Sequence, residues 1–335
     1  MTGGENEANN WLAVEAEFFG LARQRRAGAQ ATRGPIFILG SPRTGSTFFY
    51  QSLVAGFDLP YIANLTNDRF AQTPIVGLSI QAALPGLERI SATSTYGKVA
   101  GALQPSEGSA VMRRWFGGGH PSELVSAEVI AGEERHMVDT FAAAHVLSPR
   151  PLVIKNAWNC FRIAALSAAL VNSCFIWIRR DLVDSAVSDL AARYATKGTP
   201  DEWNSATPRN IEALRRRPYW EQVVENQFEF ARAIEEAFAV LPAERRATVW
   251  YEELVKDPRL VLEGLGRELP VLGGSPAVRI LETQRTESTA QLAASDTERI
   301  VEYVKRGAGR FEPLRYPASP PGDDPLAAIP VRSTD

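Results

Sequence analysis

Apolar residues in the first sixty positions change their spacing at Pro35. Over residues 11–26 they recur at helical intervals (Leu12, Ala16, Phe19, Ala22), and Arg23, Arg25 and Arg26 stand where a helix's C-terminal dipole favours cations. This predicts an amphipathic packing helix after a polar, disordered lead-in over residues 1–10. Residues 35–40, PIFILG, are a short unbroken apolar run ending in glycine, the pattern of a strand buried on both faces. Helical periodicity returns over residues 46–56. Strand, glycine-bounded turn and helix is the opening of a parallel α/β unit.

The alternation continues. PLVIK (151–155) and SCFIWIR (173–179) read as two further buried strands with a helix over 161–171 between them, and a helix follows at 182–192. Residues 210–241 are helical with a break near Pro218, and TVWYEEL (248–254) is a fourth strand. The expected fold class is α/β: one domain over 34–316, a doubly wound parallel β-sheet flanked by helices, with ligands at the strands' carboxyl ends. Residues 1–33 form its N-terminal tail and helix. The stretch 61–150, irregular and rich in Gly, Pro, Ser and Thr, reads as loops and short helices covering the site. Residues 317–335 are a Pro-rich tail expected to be disordered. There is no internal repeat.

Composition narrows the chemistry. The 335 residues carry 36 Lys+Arg against 39 Asp+Glu, a net charge of -3, which argues against a general nucleic-acid partner. Two cysteines, Cys160 and Cys174, supply no metal or disulfide framework, and His120, His136 and His145 lack zinc-site spacing, so no metal is expected. No apolar run reaches the roughly 18–20 residues of a membrane span. The polar, acidic N-terminus is unlike a secretory signal, which makes the cytoplasm the expected location. Oligomeric state leaves no trace in the sequence.

The most informative segment is Gly40-Ser41-Pro42-Arg43-Thr44-Gly45-Ser46-Thr47. It follows the frame G-x-x-x-x-G-K-S/T of a nucleotide phosphate loop, in which helix N-terminal N–H groups and hydroxyls face an anion. The lysine of that frame is Ser46 here, no magnesium carboxylate is evident, and the cation stands at Arg43 instead. That suits a phosphate bearing one further group rather than a magnesium triphosphate. A turn that merely joins strand to helix has no need of Arg, two Thr and Ser together. PRTGST after a buried strand resembles the 5′-phosphosulfate loop of sulfotransferases that use 3′-phosphoadenosine 5′-phosphosulfate (PAPS).

The second motif of that family follows in order. Arg180 ends a strand and Ser188 stands eight residues on, with Asp184 and Val187 between, resembling the family's 3′-phosphate pair. A guanidinium forks two phosphate oxygens and a hydroxyl adds a donor. Tyr251-Glu252-Glu253-Leu254 with Asp257-Pro258 resembles the segment whose tyrosine lies near adenine, although a core tyrosine reads the same way. Arg306 and Gly307, in KRGAGRF, loosely resemble the cofactor-covering loop, or else a solvated basic loop.

The resemblance implies a P-loop NTPase-like sulfotransferase fold and a PAPS donor, with 3′,5′-ADP (PAP) as product and no metal. Arg43, Thr44, Gly45, Ser46 and Thr47 would hold the 5′-phosphate. Lys155 corresponds to the lysine beside the sulfuryl group, unless it is a solvated strand-end residue. The family's general base is less legible. Relatives with histidine two residues past that lysine are matched by Ala157, and relatives with glutamate about twenty residues past the loop are matched only by Asp68, slightly late. Glu107 is the first candidate base and His120, after three glycines, the second. Glu107 also reads as a carboxylate complementing a helix dipole. Trp115, Phe116 and Trp158 line the acceptor pocket or the core. The acceptor is a small molecule, sugar, lipid or natural product, sulfated on O or N. An Ala/Arg/Gly-rich composition suggests a bacterial source. The rival readings are a P-loop kinase using ATP and a non-catalytic nucleotide-binding module.

Overall fold

The structure, a computed structural model, describes residues 3–26, 34–84, 90–94, 99–118, 127–204, 206–274, 276, 279–282 and 292–317. Strands β1 (Ile36–Leu39), β2 (Val153–Lys155), β3 (Cys174–Arg179) and β4 (Arg246–Trp250) form one sheet in the order β2-β1-β3-β4. Every neighbouring pair is parallel. Helix α1 (Gly3–Arg26) precedes the sheet, and α2 (Ser46–Phe57), α3 (Asn64–Arg69), α4 (Pro74–Ala82), α5 (Ser109–Phe116) and α6 (Glu133–Leu147) lie between β1 and β2. Helix α7 (Ile163–Ala169) leads from β2 to β3. Helices α8 (Leu182–Lys197), α9 (Ile211–Leu214) and α10 (Tyr219–Phe238) lead from β3 to β4. After β4 come α11 (Tyr251–Lys256), α12 (Pro258–Glu268), α13 (Ala294–Arg306) and α14 (Ala308–Phe311).

Unbroken apolar strands make sense because both sheet faces are covered. Successive side chains alternate in direction, so Ile36 and Ile38 enter one core with Phe49 and Leu53 of α2 and Leu262 of α12. Phe37 and Leu39 enter the other core with Phe141 of α6, Leu190 of α8 and Phe230 of α10. Phe37 and Phe175, paired across β1 and β3, stack at 5.5 Å. Burying one such side chain contributes about 1.5–3 kcal/mol.

The topology fixes where a ligand belongs. From β1 the chain moves outward to the edge strand β2, and from β3 it moves outward to the other edge, β4. Helices α2 and α8, which follow β1 and β3, pack on opposite faces. The crevice between the carboxyl ends of β1 and β3 is therefore the switch point at which doubly wound sheets bind ligands.

Several local expectations change. Helix α1 starts at Gly3, inside the stretch read as a lead-in, and its buried stripe is Glu15, Phe19 and Ala22, while Leu12 and Ala16 are exposed. A hydrophobic pattern cannot see the reason: the buried Glu15 carboxylate accepts from His136 Nε2 at 3.1 Å. The fourth strand ends at Trp250, and Tyr251 opens a helix instead of continuing it. The described residues of 61–150 hold four helices, including the 15-residue α6. The expected helix over 161–171 shortens to Ile163–Ala169, preceded by a 3-10 turn at Ala157–Phe161. The tail beyond residue 317 lies outside the described residues. No described helix is long and apolar enough to cross a membrane.

Candidate active site

The phosphate-loop segment sits at the switch point. Strand β1 ends at Leu39, the chain turns through residues 40–45, and α2 begins at Ser46 without a side-chain cap, so its first N–H groups keep no intrahelical partner. Arg43 adopts φ 72°, uncommon for a residue with a Cβ and a feature that gathers at ligand sites. The turn is braced from within and from behind. Thr44 Oγ1 donates to the Ser41 carbonyl at 2.8 Å, and the Gly40 N–H donates to Cys160 Sγ at 3.3 Å. Burial pushes the Cys160 thiol up to about 12, so it stays a neutral packing group.

Gly45 is required by two independent features. Its φ is 80°, and a Cβ there would stand 2.1 Å from Cδ2 of the Tyr251 ring. Gly45→Ala is expected to lower the unliganded Tm by roughly 1.5–3 °C from the left-handed backbone alone, with the ring clash adding to it. Gly264→Ala in α12, where the nearest atom to a new Cβ is 4.0 Å away, should leave Tm unchanged or raise it. Equal thermal shifts in the two variants would refute this account of the turn.

The downstream arginine–serine pair meets this turn directly. Arg43 Nε donates to Ser188 Oγ on α8 at 3.3 Å, and an Arg180 terminal nitrogen donates to the Arg43 carbonyl at 3.1 Å. The Arg180 guanidinium also lies over the Tyr251 ring, 4.9 Å from its centre. Two cations, two hydroxyls and an uncapped helix end thus converge on one crevice. Asp181 caps α8 through the N–H groups of Val183 (2.9 Å) and Asp184 (3.4 Å), which fixes the helix that carries Ser188. Beside it, burial raises the Glu252 carboxyl above the usual range, and that carboxyl accepts from the Asp181 N–H at 2.9 Å.

On the β2 side a second constellation forms. Lys155, 6% exposed, donates to Thr47 Oγ1 at 3.4 Å and forms an ion pair with Glu107. Glu107 stands just before α5, and its backbone carbonyl accepts from Asn156 Nδ2 at 3.2 Å. Its side chain is 42% exposed, open to an incoming molecule on one side and held by the lysine on the other.

Other expected site residues fall elsewhere. The segment read as a covering loop is helical: Arg306 ends α13, exposed, with its guanidinium 6.0 Å from the Tyr303 ring centre. Gly307 joins α13 to α14, and the neighbouring Arg310 makes a two-point ion pair with the buried Glu225 of α10. Trp115 and Phe116 are core residues rather than pocket lining: Trp115 Nε1 donates to His136 Nδ1 at 3.0 Å, and Phe116 packs under the Arg162 guanidinium. Trp158 is half-buried beside Asn156. His120 lies outside the described residues.

Two contributors escaped the sequence reading. Arg315 donates to Asp181 at 2.7 Å, as does the Tyr316 N–H at 3.1 Å, so the chain past α14 clasps the start of α8. These residues adjoin a Pro-rich stretch, which masks any signal. Gln227 of α10 donates to the Pro42 carbonyl at 3.0 Å; its only sequence trace is a polar pair, Asn226-Gln227, interrupting an apolar helix face.

Comparison with known proteins bears on this arrangement. Nothing among curated proteins matches the chain. Among solved structures it is similar to a sulfotransferase from Mycobacterium tuberculosis (15% identity, TM-score 0.48, covering 85% of this chain and 78% of that one). It is also similar to a sulfotransferase domain from the curacin biosynthetic pathway (18%, 0.44, 82% and 99%) and a sulfotransferase from Alicyclobacillus acidocaldarius (15%, 0.45, 85% and 96%). A model of the sulfotransferase family matches residues 35–271, from the first strand through α12, so the chain belongs to the sulfotransferase family.

Proposed function

We propose that this sulfotransferase takes its sulfuryl group from PAPS and passes it, without a metal, to a hydroxyl or amine of a small-molecule, sugar, lipid or natural-product acceptor. The observation that carries the reading is the direct contact of the two anion-binding motifs, Arg43 with Ser188 at 3.3 Å and Arg180 with the Arg43 carbonyl at 3.1 Å. One nucleotide with a phosphate at each end of its ribose spans such adjacent grips. The donor set also fits: Arg180 Nε is buried with no hydrogen-bond partner among the described residues, and Arg43 adds a second guanidinium. PAPS supplies an activated sulfuryl group. The acceptor atom forms its bond to sulfur as the bond from sulfur to the bridging oxygen breaks, and PAP leaves. In this chain Arg43 and the α2 N-terminus would neutralise the 5′-phosphate, Lys155 would offset charge on the leaving oxygen, and Glu107 would take the acceptor's proton.

Nucleotide-dependent thermal stabilisation tests the donor. PAP should raise Tm and Mg-ATP should not; the reverse result would favour a kinase. Arg180→Ala should weaken PAP binding by roughly 2–3 kcal/mol, about 30–150-fold, measured by calorimetry. Unchanged affinity would remove Arg180 from the site. A gain of one sulfuryl mass on an acceptor incubated with PAPS separates an enzyme from a binding module.

A further inference from the structure

We infer that Gln227 is a positioning residue for the donor, acting by holding the phosphate loop open for an anion. The inference rests on the donor reading above. An anion site made of backbone N–H groups works only if the neighbouring carbonyls point away from it, since a carbonyl oxygen facing the phosphate would repel it. Two consecutive carbonyls of this turn, Pro42 and Arg43, are engaged by side chains from distant elements. Gln227 Nε2 of α10 donates to Pro42 at 3.0 Å, and Arg180 at the end of β3 donates to Arg43 at 3.1 Å. Between those carbonyls lies the left-handed Arg43, whose φ of 72° orients the turn's next N–H groups. Gln227 is 3% exposed, so its bond to Pro42 is largely shielded from bulk solvent. The amide's orientation is dictated by its partner, because a carbonyl accepts only from the nitrogen side.

The geometry behind the loop explains why glutamine and not glutamate serves. Gln227 lines a small cleft with Ser41, Thr44, Arg180 and Ser185. In that cleft Gln227 Oε1, Arg180 Nε and Ser185 Oγ make no hydrogen bond to the described residues. A carboxylate at this position would repel the Pro42 carbonyl and draw Arg180 away from the Arg43 carbonyl, releasing both restraints together. Its protonated form, however, regains an O–H that can donate to Pro42.

That difference supplies the test. PAP affinity is measured calorimetrically on wild type, Gln227→Glu and Gln227→Met at pH 8 and pH 5, each variant's Kd being divided by the wild-type Kd at the same pH. Gln227→Met should weaken PAP binding about tenfold at both values, the cost of one lost restraint on a buried carbonyl. Gln227→Glu should lose at least about thirtyfold at pH 8 and recover at least about fivefold by pH 5, where roughly one-sixth of an ordinary glutamate carboxyl, near 4.3, is protonated. In the sulfation assay the donor KM of both variants should rise at pH 8, with acceptor KM unchanged and kcat at saturating donor within about threefold. A pH-independent ratio for Gln227→Glu, or wild-type affinity in Gln227→Met, would overturn the inference. If wild type itself fails to bind PAP, the donor reading falls; a flat ratio with a tight wild type sinks only the role of Gln227.

Discussion

Lys155→Met is expected to lower sulfation turnover by about 100–1,000-fold and to weaken PAP binding by about tenfold or more. Lys155 ends β2, a strand paired in register with β1, so its stem is carried by the sheet rather than by a loop. Its ammonium lies against the hydroxyl of Thr47 in the first turn of α2, beside the proposed phosphate site. With 6% of its surface exposed, that charge acts in a water-poor environment, where a cation aimed at an oxygen gaining negative charge is worth far more than in bulk solvent. Charge on the bridging oxygen grows only as the sulfur–oxygen bond breaks, so the lysine's contribution belongs to the transition state and should appear in kcat. Product PAP keeps that oxygen on its 5′-phosphate with the charge fully developed, so PAP affinity should fall as well. Methionine keeps the length of the apolar stem, which limits the structural cost. Turnover within fivefold of wild type would remove Lys155 from the chemistry.

Much of this arrangement was legible because buried parallel strands announce themselves. IFIL, VIK and CFIWIR are continuous apolar runs, and each appears as a strand within a residue or two of its expected bounds. The loop after the first strand and the arginine after the third were read correctly as strand-end features, and the topology then brings them into contact. What escaped was decided by polar side chains. TVWYEEL continues the apolar pattern past Trp250, yet Glu252 and Glu253 suit a helix's first turn and Asp257 caps the next helix through the Leu260 N–H at 2.9 Å. In KRGAGRF two glycines suggested a loop. Instead Phe311 enters the core and Arg310 locks onto Glu225, a tertiary contact no local pattern contains. The α1 stripe departs from the apolar pattern at Leu12 and Ala16 for the same reason, since a buried Glu–His bond outweighed alanine and leucine. Gln227 and Arg315 illustrate the limit: each acts on a backbone or cap more than a hundred residues away.

Glu107→Gln is expected to leave PAP affinity within twofold of wild type and to lower turnover at least about 100-fold, the size of a lost general base. The substitution is nearly isosteric, and an amide oxygen can still accept from Lys155, so the constellation keeps its shape while losing the ability to take a proton. The carboxylate is held in place by the Asn156 side chain on its own carbonyl and by the lysine on its oxygen, and its free edge faces outward. Normal turnover in the variant would shift the role to His120. The ion pair with Lys155 adds a sharper expectation. If the two groups serve one transfer step, the lysine neutralising the leaving side while the glutamate relieves the attacking side, removing either disables the same event. The double variant Glu107→Gln with Lys155→Met should then be no more than about threefold slower than the worse single variant. Losses that multiply would mean that the two side chains contribute independently, and that their contact in the unliganded protein is a resting pair with no part in transfer.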